Sequence, residues 1–193
     1  DPETKERFPD TVRWTGVMQR ELGEGYLVLE EGLNGRTTVW EDPIELHKKG
    51  SAYLPPCLES HKPLDLVVIM LGTNDMKTRF SLSAPDVAGG ARVLVDIARK
   101  SETGRDSAAP KILLICPPPI ARLTEFAQMF EGAKDVSLQL DTYYRQEAAE
   151  AGCDYLFAGH VLSSSDIDGI HFEAGGHDLL GKAVAGKARE ILE

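Results

Sequence analysis

Three places in this sequence combine residue types that could share one reaction. Gly72-Thr73-Asn74-Asp75 follows directly on the apolar run Leu66 to Met70. An Asn placed there can donate an amide N–H to an oxygen that gains negative charge, without carrying charge itself. Asn and Asp also cap helices and close turns, and the tetrapeptide alone fits either role. The second place is Asp168-Gly169-Ile170-His171. Its spacing lets a turn fold the carboxylate onto the imidazole Nδ1 while Nε2 points outward, an arrangement that sets the tautomer and stabilises an imidazolium. His171 then fits a general base, although a cap or surface turn accounts for a lone Asp-x-x-His at least as readily. The third is Gly35, in Glu31-Gly32-Leu33-Asn34-Gly35-Arg36-Thr37-Thr38. Glycine can bring a bare backbone N–H close to a ligand, here into the same crevice as Asn74, with a plain turn as the competing account.

Residues this far apart meet only if the elements before them are parallel. Leu66 to Met70 and Lys111 to Cys116 are continuous apolar runs of the kind that suit strands buried on both faces. Gly25 to Glu30 and Asp154 to Phe157 read as further short strands. Helical periodicity marks Arg13 to Leu22 and Pro85 to Lys100, and helices are also expected over Val136 to Ala151 and Glu173 to Leu192. A short helix over Ala52 to Ser60 is expected to be interrupted by Pro55-Pro56. Strands alternating with helices define an α/β fold, a three-layer α/β/α sandwich with a mostly parallel, flavodoxin-like sheet. In such sheets ligands bind outside the carboxyl ends of the strands, where all three candidate places fall. Residues 1 to 10 read as an extended surface loop, and Pro117-Pro118-Pro119 as a stiff rim. Leu123 to Gly132, with Phe126, Met129 and Phe130, could form a lid or partner surface, with core packing as the commoner explanation.

Composition narrows the function further. A chain of 193 residues is expected to be one domain, and its formal net charge of −10 argues against nucleic acid or an anionic membrane as partner. No apolar run approaches the ~18 residues of a membrane span. Cys57, Cys116 and Cys153 are odd in number and contain no CxxC pair, which points to a reducing, cytoplasmic compartment. His47, His61, His160 and His177 form no ligand-spaced set along the chain, so neither a metal nor a cofactor is expected, and His177 reads as structural.

Taken together, these blocks resemble the SGNH (GDSL) hydrolase family. Glu31-Gly32-Leu33-Asn34-Gly35-Arg36-Thr37 is similar to its glycine block, Gly72-Thr73-Asn74-Asp75 to its Gly-x-Asn-Asp block and Asp168-Gly169-Ile170-His171 to its Asp-x-x-His block. The stretches Arg13-Trp14-Thr15-Gly16, Tyr53-Leu54-Pro55 and Pro117-Pro118-Pro119 resemble the arylesterase/acyltransferase branch. The resemblance implies a serine esterase of short-chain acyl or aryl esters, working through an acyl-enzyme, with transfer to alcohols as an extension. His171 would be the base, Asp168 would orient it, and Gly35 N–H and Asn74 Nδ2–H would hold the oxyanion. The family's Gly-Asp-Ser block does not occur among these residues. The nucleophilic serine is therefore expected upstream of Asp1, and residues 1–193 as a single domain lacking its first strand, which would leave neighbouring strand edges unpaired. Ser163-Ser164-Ser165 offers substitutes, in a loop expected at the surface. The alternative function is a non-catalytic flavodoxin-like module that binds a small molecule. The implied partners are a small ester substrate and, by the habit of that branch, further copies of the chain in a homo-oligomer.

Overall fold

The computed structural model describes residues 1–193. In chain order it contains α1 (Trp14–Leu22), α2 (Gly50–His61), β1 (Leu66–Ile69), α3 (Ala84–Arg99), β2 (Lys111–Cys116), α4 (Ala133–Ser137), α5 (Leu140–Ala151), β3 (Asp154–Phe157) and α6 (Ala174–Leu192). The three strands are parallel in the order β1-β2-β3, with Val68 opposite Leu113 and Leu114 opposite Tyr155. Side chains alternate across β2, so Ile112, Leu114 and Cys116 pack with Leu94, Leu140 and Tyr144 from α3 and α5. Leu113 and Ile115 pack on the opposite face with Met18 of α1 and Leu180 and Val184 of α6. These are the three layers expected. Each fully buried Leu or Ile contributes about 1.5–3 kcal/mol, so the doubly covered β2 anchors both layers.

β1 differs from the expectation of a strand buried on both faces. Only Ile69 is buried, while Leu66, Val67 and Val68 stay half-exposed. The reason is position: β1 is hydrogen-bonded to β2 along one edge, and its other edge carries no strand. Gly25 to Glu30, expected as a strand, enter no ladder. Gln19 takes the place of a ladder partner, its side chain accepting from Val28 N–H (2.7 Å) and donating to Tyr26 O (3.0 Å). Tyr26 and Val28 pack against the same cluster as Leu66, Val68 and Met70, while Leu27 is left 80% exposed. No helix is long and apolar enough to cross a membrane.

The prolines act less severely than expected. α2 runs unbroken through Pro55 and Pro56, which lie on its exposed face where carbonyls left without an N–H donor can be solvated. The expected helix over Val136 to Ala151 is instead two, α4 and α5, separated at Leu138 and Gln139. α3 starts on a capping box, Ser83 with Asp86, that supplies two otherwise unsatisfied N–H groups.

His177 is structural, as its place in the terminal helix implied. Its Nδ1 accepts the Trp14 backbone N–H (3.2 Å) at the start of α1, and the Phe8 and Phe172 rings meet it edge-on. Burial first, then the charge of Arg13, lowers its pKa to about 4. With a folded value below the unfolded 6.5, stability is full above pH 6.5 and falls as pH drops toward 4. Urea unfolding as a function of pH is expected to show this loss, and His177→Asn, whose carbonyl can replace Nδ1 as acceptor, is expected to flatten it.

Candidate active site

At the carboxyl end of β1 the chain passes through Gly72 into a single 3-10 turn, Asn74–Met76. Tyr144, fully buried on α5, donates its hydroxyl to Leu71 O (2.8 Å) and holds the exit of the strand. Asn74 Nδ2 donates to Arg36 O (3.2 Å). Both carboxylate oxygens of the buried Asp75 accept the Thr38 backbone N–H (3.1 Å each), and Oδ1 also accepts the Thr38 hydroxyl. The turn after β1 is thereby locked to the loop that contains Gly35. Gly35 itself has φ +77°, a conformation that glycine adopts without strain. Burial raises the Asp75 pKa to about 6, against the opposing pull of the Thr38 hydrogen bonds and of Lys77. Lys77 is itself buried, bonded to Asp42 (3.2 Å) and Glu45 (2.6 Å), with Arg79 on Asp42 (2.9 Å). This ion cluster stiffens the underside of the same loop.

Beyond β3, Asp168 is fully buried and His171 is exposed, with 2.7 Å between Asp168 Oδ2 and His171 Nδ1. The other oxygen, Oδ1, accepts the Ile170 and His171 backbone N–H groups, each at 2.9 Å. Burial acts to raise the Asp168 pKa, but those N–H donors and the imidazole outweigh it and the net shift is downward. The carboxylate is therefore ionised and aimed. Gly169 makes the turn possible: its φ is +87°, and a Cβ would lie 2.7 Å from Arg122 O. Phe126 meets the His171 ring edge-on, with centroids 5.9 Å apart. Lys5, from the segment expected only as surface loop, lies with Nζ 3.8 Å from Asp168 Oδ2 and bonds Glu125.

The segment after β2 joins these two centres. Ala121 N donates to Gly169 O (2.9 Å) and Thr124 Oγ1 to Ile167 O (2.7 Å), while Thr78 N donates to Met129 O (2.8 Å). Phe130 is buried, and Phe126 and Met129 pack against the core, so this stretch is mainly core packing. The serine triplet is corrected. Ser164 and Ser165 are buried, Ser164 Oγ donating to Pro119 O (3.0 Å) and Ser165 Oγ to Glu173 Oε1 (2.7 Å). Both hydroxyls serve the loop, and neither bonds the His171 ring.

The predicted residues thus fall into two joined pairs, Gly35 with Asn74 through Arg36 O, and Asp168 with His171. Each pair sits at the carboxyl end of a parallel strand, and no hydrogen bond links one pair directly to the other. Sequence reasoning missed Thr38, Lys5 and the Asp42-Lys77-Arg79 cluster. Asp75 was visible inside Gly-Thr-Asn-Asp, but its partner, at a separation of 37, carries no local signal.

An α/β/α sandwich with a buried Asp orienting an exposed His at one strand end, and an Asn beside a glycine loop at another, is the layout of an ester hydrolase of the SGNH type. The chain belongs to the GDSL-like lipase/acylhydrolase family, whose profile matches residues 7–179. It is similar to the structure of an aryl esterase from M. smegmatis, with 42% identity over 97% of this chain and 89% of that one and a TM-score of 0.93. It is also similar to a carbohydrate acetylesterase from Sinorhizobium meliloti, with 40% identity over 96% and 88% and a TM-score of 0.93. A carbohydrate acetylesterase family member from the same organism is 34% identical over 100% and 92%, with a TM-score of 0.94. No curated protein matches the chain.

The lock between the two loops can be tested on stability alone. Thr38→Val keeps the shape and the backbone N–H but removes the hydroxyl from a buried carboxylate, and is expected to cost about 1–3 kcal/mol, read as a lower urea midpoint.

Proposed function

We propose that this serine esterase cleaves short-chain acyl or aryl esters with His171 as general base, Asp168 as its orienting carboxylate, and Gly35 N–H and Asn74 Nδ2–H as oxyanion donors. The observation that carries this reading is the buried Asp168 carboxylate on His171 Nδ1, which leaves Nε2 as the proton acceptor. A serine hydroxyl attacks the ester carbonyl as its proton passes to Nε2. The tetrahedral oxyanion is held by the bare N–H of Gly35 and by the Asn74 amide hydrogen that Arg36 O does not use. Collapse breaks the ester C–O bond, the imidazolium returns the proton to the leaving alcohol, and water repeats the sequence to release the acid. Aryl and acetyl esters suit this reading because those are the groups named for the M. smegmatis and S. meliloti proteins.

For the nucleophile we propose a Gly-Asp-Ser strand upstream of Asp1 that pairs with the free edge of β1 and completes a single domain. In support, β1 has hydrogen-bonding capacity along that edge, and its apolar residues are half-exposed there. A strand ending beside Gly72 would deliver its last residue to the same end of the sheet as Asn74 and His171. Exposed Leu33, Ile44 and Leu46 near Gly35 support a homo-oligomer, and an apolar wall such as Phe126 would favour alcohols over water as acyl acceptors. Three unpaired cysteines support a cytoplasmic location.

The test is p-nitrophenyl acetate turnover by the protein including its upstream Gly-Asp-Ser. His171→Ala is expected to lose about 10²–10⁴-fold, and Asn74→Ala about 10²–10³-fold in kcat with a smaller change in KM. Equal rates for the wild type and His171→Ala would overturn the assignment. A fluorophosphonate label is expected to map to the Gly-Asp-Ser serine, and labelling of Ser163, Ser164 or Ser165 in its place would move the nucleophile.

A further inference from the structure

Away from His171, the start of the Gly35 loop meets α2 in a cluster that the esterase chemistry does not use. Cys57 and His61 are four residues apart on α2 and so share one face of the helix. Glu31 approaches that face from the loop, and the three ligand atoms, Cys57 Sγ, His61 Nε2 and a Glu31 oxygen, all lie within 4.8 Å of one another. All three residues are half-buried, open enough for an ion to enter and covered enough to hold it. The carboxylate is already aimed: Tyr53, one turn before Cys57, donates its hydroxyl to Glu31 Oε2, leaving Oε1 on His61 Nε2 at 2.7 Å.

We propose that Glu31, Cys57 and His61 bind a single divalent transition-metal ion of the zinc class. The donor set selects the ion. A thiolate and an imidazole favour Zn²⁺ or Co²⁺, whereas Mg²⁺ and Ca²⁺ require oxygen ligands. Tetrahedral Zn²⁺ with ordinary bond lengths sets neighbouring N and O ligands about 3.4 Å apart, so the His61–Glu31 contact opens by well under an ångström. His61 ends α2 and is free to make that shift. On binding, the ion takes the place of the hydrogen on His61 Nε2, which passes to Nδ1 so that the imidazole stays neutral, and of the Cys57 thiol proton, which leaves to solvent. Thiolate and carboxylate together balance the dication. The nearby Arg36 guanidinium is turned onto the Tyr53 ring at 4.0 Å and donates to Glu31 O (3.0 Å), so it braces the loop instead of occupying the site. Three protein ligands leave a fourth position for solvent. The chain spacing of cysteines and histidines hid this set, because its third ligand comes from a different loop.

Cobalt reads out the site without any assay of activity. Titrating the full-length protein with Co²⁺ under a non-thiol reductant is expected to give four-coordinate visible bands and a sulfur-to-cobalt charge-transfer band that saturate at one equivalent and are displaced by Zn²⁺. Cys57→Ser is expected to abolish the charge-transfer band, and His61→Asn and Glu31→Gln to weaken Co²⁺ binding by at least about tenfold. Cys153→Ser is expected to leave the spectrum unchanged, with circular dichroism confirming the fold of each variant. Absence of a charge-transfer band in the wild type, or its persistence in folded Cys57→Ser, would overturn the site. Because no ester is present, failure here leaves the roles of His171 and Asn74 untouched, and their failure leaves this site untouched.

Discussion

A buried carboxylate surrounded chiefly by neutral donors ties the working end of this molecule together. Asp75 gives up water for the backbone N–H and hydroxyl of Thr38, and burial still drives its pKa upward. Desolvating a charge for two hydrogen bonds is a poor exchange in isolation. It persists because it does two things at once: it closes a long loop onto the exit of β1, and it brings Asn74 into register with the Gly35–Arg36 backbone. Removing the lock would leave that loop on the Asn74–Arg36 bond, the ion cluster and the parallel bridge between Thr37 and Lys49 among its other contacts.

The parallel sheet supplies the second constraint. Because β1, β2 and β3 all point the same way, the loops that leave them emerge at one end, and a hydrogen-bonded segment after β2 spans from one centre to the other. The core is thinner at both edge strands than at β2: Leu66, Val67 and Val68 of β1 and all four residues of β3 are only half-covered. Tyr26 and Val28 share a hydrophobic cluster with β1 but gain no ladder from it, so side-chain packing and the Gln19 bonds, not strand pairing, hold them there.

The two halves of the candidate site were legible to different depths. Asp168-Gly169-Ile170-His171 could be read almost to its geometry, because the carboxylate, the turn glycine and the imidazole are neighbours in the chain and the turn is a local event. Gly35 and Asn74 could be named as candidates, but their association depends on Asp75 reaching across 37 positions to Thr38. The serine triplet shows the converse error. Its composition looked chemical and exposed, whereas packing buried Ser164 and Ser165 and committed both hydroxyls to the loop.

What the chain determined by itself was therefore whatever depends on neighbours. This covers the apolar runs that become β1, β2 and β3, the periodic faces of α1 and α3, the Asp-x-x-His turn and the acidic net charge. Tertiary structure decided what depends on distant partners. Residues 26–30 did not become a strand, because a strand exists only by pairing. α2 continued through two prolines, because its exposed face can solvate the carbonyls they leave bare. Glu31, Cys57 and His61 came together because a loop and a helix were brought side by side by contacts that no single stretch of sequence contains.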